Sequence, residues 1–290
     1  MPTLDRRRFL ATTGAALAGS ALVRPELASA APGSSPWRKA FMLGVSRGAI
    51  LPHFERLKAA GFEGVELLSP NELDTAEVNQ AREKTGIVVH GVSGSRHWAE
   101  PLSSPDEKVV ERGLAAIRRE FEDCKAYGGT TVLVVPAVVT PSVSYREAWD
   151  RSTAAIKLLI PDAEKHGVKM AIEEVWNKFL LSPVEMARYV DSFQSDAVGA
   201  YFDVGNVVEY GYPQEWIREL GKRILKIHIK EYKKAKRFDY KLGEGEIDWP
   251  AVRKALHDVG YQGWVTAEVG YGDVEALRDV AQRMDQLLGG

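Results

Sequence analysis

Between residues 41 and 287 the chain alternates short apolar runs with longer amphipathic runs, and it does so eight times. A buried parallel strand reads as a brief apolar run, and a helix packed on it repeats its apolar positions every three to four residues, so each pair of runs is a strand followed by a helix. The strands are expected at 41–45, 64–68, 87–92, 131–135, 169–175, 199–203, 225–229 and 263–269. The helices are expected at 51–60, 75–84, 105–127, 145–166, 183–192, 213–220, 249–259 and 274–287. Several helix ends are marked: Ser182-Pro183 and Asp248-Trp249-Pro250 open helices, while Gly61, Gly86, Gly167 and Gly260 close them. Eight such units over roughly 250 residues match a single closed (β/α)8 TIM barrel in both count and length. A doubly wound open sheet would normally use fewer strands and a Gly-rich phosphate turn after the first, which Gly44-Val45-Ser46-Arg47-Gly48 does not supply.

Barrels of this kind build their chemistry where the strands end, and the last four expected strands each deliver a polar group there. These are Glu173, Asp203, His228 and Glu268, in Ala-Ile-Glu173, Tyr-Phe-Asp203, Lys-Ile-His228 and Thr-Ala-Glu268. Singly each has an ordinary explanation: Asp203 in an Asx turn, His228 as a satisfied structural group, Glu268 in an ion pair closing the barrel. Together they read as one divalent-metal site, since four separate inward polar groups would otherwise each need its own partner. Glu174 competes with Glu173 on spacing, and strand alternation lets only one of the two face the barrel mouth. Three carboxylates and one imidazole suit a hard or borderline ion. Manganese is the first expectation, with magnesium, cobalt and zinc also compatible with the donors.

Residues 1–30 differ from the rest. Asp5-Arg6-Arg7-Arg8-Phe9-Leu10 precedes a mildly apolar Ala- and Gly-rich run, and Ala28-Ser29-Ala30 ends it. This pattern is similar to a cleaved twin-arginine export signal, and the apolar run is short of the roughly 20 residues that span a bilayer. The expected location is therefore periplasmic or extracellular, with no stable membrane insertion. Residues 31–36 read as a linker and 37–290 as the catalytic barrel, with no further domain boundary. The formal charge of -2 becomes -4 once residues 1–30 are removed, leaving 34 basic against 38 acidic side chains, so no basic excess exists to grip a nucleic acid. A small sugar is the expected partner, and self-association is left open. The single cysteine, Cys124, forbids an intramolecular disulfide and reads as a buried thiol.

The chain resembles the sugar phosphate isomerase/epimerase family of xylose-isomerase-like barrels. The likeness spans essentially all of the mature chain and is nearest the branch of L-ribulose-phosphate 3-epimerases and hexulose-phosphate isomerases. It is carried by Ile172-Glu173-Glu174-Val175-Trp176-Asn177-Lys178-Phe179, by Tyr201-Phe202-Asp203-Val204-Gly205-Asn206, by Gly243-Glu244-Gly245-Glu246-Ile247-Asp248-Trp249 and by His97-Trp98-Ala99-Glu100-Pro101. The resemblance implies metal ligation by Glu173, Asp203, His228 and Glu268, with Glu173 and Glu268 doubling as acid and base, and it favours Glu173 over Glu174. It implies epimerisation or aldose-ketose isomerisation through an enediolate. Some ketose epimerases carry His where this chain has Asn206. Glu66, His97, Trp98, Asn206 and Arg237 are the expected substrate contacts; Arg237 belongs to a basic run with Lys230, Lys233, Lys234 and Lys236 that could instead be a solvated loop.

Three rival classes are weaker. A secreted glycoside hydrolase would use paired carboxylates but has no need of Asp203 and His228. A multi-zinc endonuclease would need more than the six histidines present, three of which fall in expected helices. A non-catalytic sugar-binding barrel would keep the fold without turnover.

Overall fold

The computed structural model of the protein describes residues 36–289. The export-signal reading of residues 1–30, the linker up to residue 35 and Gly290 lie outside the described residues. Eight parallel strands close on themselves in chain order: β1 (Trp37–Leu43), β2 (Gly64–Ser69), β3 (Val88–Gly94), β4 (Thr131–Val134), β5 (Lys169–Glu173), β6 (Val198–Asp203), β7 (Ile224–Ile229) and β8 (Gly263–Ala267). Each is followed by a helix, α1 (Leu51–Ala60), α2 (Thr75–Thr85), α3 (Glu107–Ala126), α4 (Tyr145–His166), α5 (Pro183–Asp191), α6 (Pro213–Leu220), α7 (Trp249–Asp258) and α8 (Val274–Leu288). Most strand positions are apolar because helices cover the strands outside and side chains of the other staves meet them inside, with Glu66, His90 and Lys226 as buried polar interruptions. No helix among the described residues is long and apolar enough to cross a membrane.

The first strand starts four residues earlier than its apolar run. Trp37 is 4% exposed and donates its indole N–H to the Tyr261 carbonyl at 2.9 Å, while Trp37 to Phe41 pair with Gly263 to Ala267 of β8. Arg38 and Lys39 hide this start in the sequence. The Arg38 guanidinium lies 4.0 Å from the Trp264 ring, and Lys39 Nζ meets Asp285 of α8 at 2.6 Å. At the other end, β5 stops at Glu173 instead of running on to Val175.

Two cores result. The larger lies between barrel and helices, and a smaller one, Leu133, Val135, Ala171 and Tyr201, packs separately around β4 to β6. The rest of the barrel centre is polar where such interiors are usually filled by branched aliphatic residues. Glu66 of β2 touches His228 of β7 and Tyr201 of β6, strands that are not its neighbours in the sheet, so these side chains meet across the barrel axis. The chain of contacts continues from Tyr201 to Thr266 of β8 at 3.4 Å and from Thr266 to His90 of β3 at 3.1 Å. Cys124 is buried on α3, and burial pushes its thiol up to about 12.

Candidate metal centre

Glu173 and Asp203 are the last residues of β5 and β6, His228 is the next to last of β7, and Glu268 follows the last residue of β8. Register brings them level: Asp203 pairs with His228, and the Glu268 N–H donates to the Ile229 carbonyl at 3.0 Å. One ligand atom from each of the four lies within 4.8 Å of all the others. Glu173, Asp203 and His228 are buried, and the Glu268 side chain is one-third exposed. The quartet therefore opens to solvent on the β8 side.

Three carboxylates converging in a largely buried pocket repel one another unless cations or protons offset their charge. His228 supplies one. Its Nδ1 sits 3.0 Å from Glu173 Oε1 and 3.4 Å from Glu268 Oε2, and its Nε2 sits 2.9 Å from Glu66 Oε2. Burial alone would lower the imidazole pKa, but Glu66 and Glu173 hold it well above the usual histidine range. Lys230, two residues on, supplies the other cation: its Nζ lies 2.8 Å from Glu268 Oε2 and 3.1 Å from Asp203 Oδ2. The contact with Asp203 is an ion pair without hydrogen-bond geometry, since Oδ2 makes no hydrogen bond.

Burial pushes Glu173 up to about 7, with His228 pulling against it. Burial likewise raises Glu268 against the pull of Lys230. Asp203 goes the other way: burial opposes its ionisation, yet Lys230 and His228 together hold it below the usual carboxylate range. The donor set fits a divalent ion. Three carboxylates with an imidazole Nδ1 facing them match the oxygen-rich sites of hard or borderline metals. Glu66 on Nε2 completes the carboxylate–imidazole arrangement that orients a metal-binding histidine.

The sequence-expected substrate contacts fall in different places. Glu66 is fully buried, and its Oε2 accepts from Tyr201 OH at 2.6 Å as well as meeting His228, so it lies against that histidine inside the barrel. Asn206 is buried behind Asp203: its backbone N–H donates to Asp203 Oδ1 at 2.8 Å, its Nδ2 to the Glu174 carbonyl at 3.0 Å, and its own carbonyl accepts from Trp176 Nε1 at 3.1 Å. His97 and Trp98 share the β3–α3 loop with ring centroids 5.1 Å apart, His97 turned back onto the Gly94 carbonyl and Trp98 57% exposed. Arg237 is exposed on the β7–α7 loop, its guanidinium 5.0 Å from the Trp176 ring. Glu174 is buried with neither oxygen hydrogen-bonded, and burial followed by Asp203 raises it well above the carboxylate range.

Lys230 is the member the sequence concealed. It stood at the head of a basic run, yet alternation along β7 puts residues 226, 228 and 230 on one face, and that periodicity was the available signal. Gly205 makes room for it, because a Cβ there would lie 2.6 Å from Lys230 Cγ and 2.8 Å from its carbonyl oxygen.

Known proteins share this arrangement of chain. L-ribulose-5-phosphate 3-epimerase of Escherichia coli is 24% identical over 249 residues, covering 79% of this chain and 87% of the relative. D-psicose 3-epimerase of Ruminiclostridium cellulolyticum is 24% identical over 260 residues, covering 81% and 85%. Among solved structures, 3-keto-D-glucoside 4-epimerase of E. coli superposes with a TM-score of 0.73 at 19% identity, over 86% of this chain and 99% of that one. The family model described as xylose isomerase-like TIM barrel matches residues 54–287, and with the closed eight-stranded barrel it places the chain in that family.

Proposed function

We propose that the protein is a metal-dependent sugar isomerase or epimerase that works through an enediolate, with Glu173 and Glu268 as its acid and base. The observation that supports this best is the convergence of Glu173, Asp203, His228 and Glu268 to within 4.8 Å at the open end of the barrel. The sugar epimerases among its relatives favour the same reading. A divalent ion bound there, manganese by preference, supplies Lewis acidity to a carbonyl and its neighbouring hydroxyl.

The chain's own residues handle the protons. One glutamate takes the hydrogen from the carbon between carbonyl and hydroxyl, and the bonding pair moves toward the carbonyl oxygen to give the enediolate. The other glutamate returns a proton. Delivery to the opposite face of the same carbon inverts it, and delivery to the neighbouring carbon exchanges aldose for ketose. In the metal-free site burial raises Glu173 to about 7, and a cation bound beside it would favour the ionised form, the state that accepts a proton. The Lys230 ammonium, 2.8 Å from Glu268 Oε2, favours the ionised form of that carboxylate, the form that can act as base.

We further propose that residues 1–30 direct export, which cell fractionation with Arg6 and Arg7 both replaced by Lys would test; the variant precursor should stay in the cytoplasm. The reaction is tested by elemental analysis of the purified protein and by wash-in of solvent deuterium into a panel of ketoses. Exchange should need the metal and vanish in Glu173→Gln. Activity that survived complete chelation would favour a hydrolase, and undiminished exchange in Glu173→Gln would remove that residue from the mechanism.

A further inference from the structure

A groove of about 890 Å³ leaves the metal centre at Glu268 and runs outward between the β7–α7 loop and α8. Phe238 and Tyr240 line one side, and Ala276 and Arg283 line the other. It is continuous with the quartet, because Lys230 Nζ, which touches Asp203 and Glu268, also lies 4.9 Å from the Phe238 ring centroid. This volume falls in the upper part of the range that holds drug-sized ligands, so a single sugar of about a dozen non-hydrogen atoms leaves most of it unfilled.

The wall is built beforehand. Phe238 packs against Trp176 and Tyr232 with ring centroids 4.9 and 5.7 Å away, and Lys233 Nζ lies 5.7 Å from the Tyr240 ring. Beneath them the fully buried Glu231 accepts from the Gly243 N–H at 2.6 Å and from Trp249 Nε1 at 3.0 Å, tying the long loop to α7. A loop fixed in this way loses little entropy when a ligand arrives.

Its charge argues against a phosphate. Three cationic side chains line the groove against five acidic ones. Two of the three cations are already engaged: Lys241 with Asp279 at 3.0 Å, and Arg283 with Glu244 and Asp279 at 3.0 Å each. Aromatic faces beside scattered hydrogen-bonding groups suit a neutral polyhydroxylated ring, whose C–H face packs on an arene while its hydroxyls bond at the rim.

We propose that this groove is a second-ring subsite, so that the substrate is a glycoside carrying its ketone on the sugar ring rather than a free or phosphorylated ketose. The inference rests on the isomerase reading of the metal centre. A glycosidic bond locks the anomeric carbon, so the reacting carbonyl must be a ring ketone flanked by a hydroxyl-bearing carbon. The same proton abstraction and return then inverts that carbon with no oxidant and no bond to the second ring broken.

The test uses the metal-loaded full chain and solvent-deuterium exchange into four sugars: D-allulose, D-allulose 6-phosphate, methyl 3-keto-glucoside and 3-keto-trehalose. The second ring should raise kcat/KM about tenfold or more over the methyl glycoside, mainly through KM. Both Tyr240→Ala, which removes an aromatic wall, and Ala276→Trp, which fills the groove from the exposed face of α8, should bring that ratio back toward one. A ratio near one in the unaltered protein, or preference for the phosphate, overturns the proposal. If no sugar exchanges, the isomerase reading itself fails. Calorimetric titration with unreacting trehalose and methyl glucoside then decides the groove separately: tighter trehalose binding that Ala276→Trp abolishes supports it, and equal affinities refute it.

Discussion

Replacing Glu66 by leucine should weaken metal binding without touching any of the four converging residues. Glu66 is fully buried, and its Oε2 receives both the Tyr201 hydroxyl at 2.6 Å and the His228 Nε2 at 2.9 Å. Ligation requires the Nδ1 proton to leave; leucine then leaves the remaining Nε2 hydrogen with no acceptor, so the neutral imidazole is free to rotate or to move that proton to Nδ1, the nitrogen that faces Glu173 and Glu268. Loss of such an outer partner typically lowers metal affinity about 10- to 100-fold, or roughly 1.4 to 2.7 kcal/mol. Glu66→Gln separates two causes. It removes the negative charge but keeps an oxygen that can accept from Nε2, so it should fall between the parent and Glu66→Leu. Competition against a fluorescent chelator at fixed pH gives the three affinities, with near-ultraviolet circular dichroism confirming that each protein is folded. Affinity unchanged within twofold in a folded Glu66→Leu would refute the argument. Equal losses in both variants would assign the effect to charge instead of orientation.

Two other variants probe the electrostatics. Lys230→Met should raise divalent-metal affinity while lowering the melting temperature of the chelated protein, because Asp203 and Glu268 lose the ammonium at 3.1 and 2.8 Å and repel each other until a metal binds; weaker metal binding in this variant would overturn that view. Glu120 of α3 is 2% exposed with an oxygen lacking any hydrogen bond, and burial, then Asp123, raises it well above its ordinary value. The native carboxyl keeps its proton where the unfolded one loses it, so its contribution to stability falls as pH rises above about 4.5, the unfolded value. Glu120→Gln should accordingly match the parent below pH 4.5 and become progressively more stable than it from pH 5 to 8. A stability difference that stayed constant across that range in urea titrations would refute the assignment.

The barrel and the convergence of the four strand-end groups were legible in the sequence for one physical reason. Glu173, Asp203, His228 and Glu268 stood out because each follows an apolar run at a strand end, although this barrel also buries Glu66, His90 and Lys226 within its strands. What could not be read locally was who faces whom. Glu66 seemed a substrate contact, but its partners lie on β6 and β7, and only closure of the barrel decides that they meet. Lys230 carried the right alternation and was masked by the lysines that follow it. The early start of β1 was obscured because Arg38 and Lys39 satisfy their charges against Trp264 and Asp285, residues more than 200 positions away.

The contact of Glu66 with His228 also ties the candidate metal site to closure of the barrel. The imidazole acquires its supporting carboxylate only when β2 and β7, which share no ladder, face each other across the closed barrel, so the unfolded chain would hold no prearranged chelate to seize an ion. A cation bound there would add its binding free energy to a barrel whose staves have already closed. Stripping it should silence the chemistry and leave the scaffold standing.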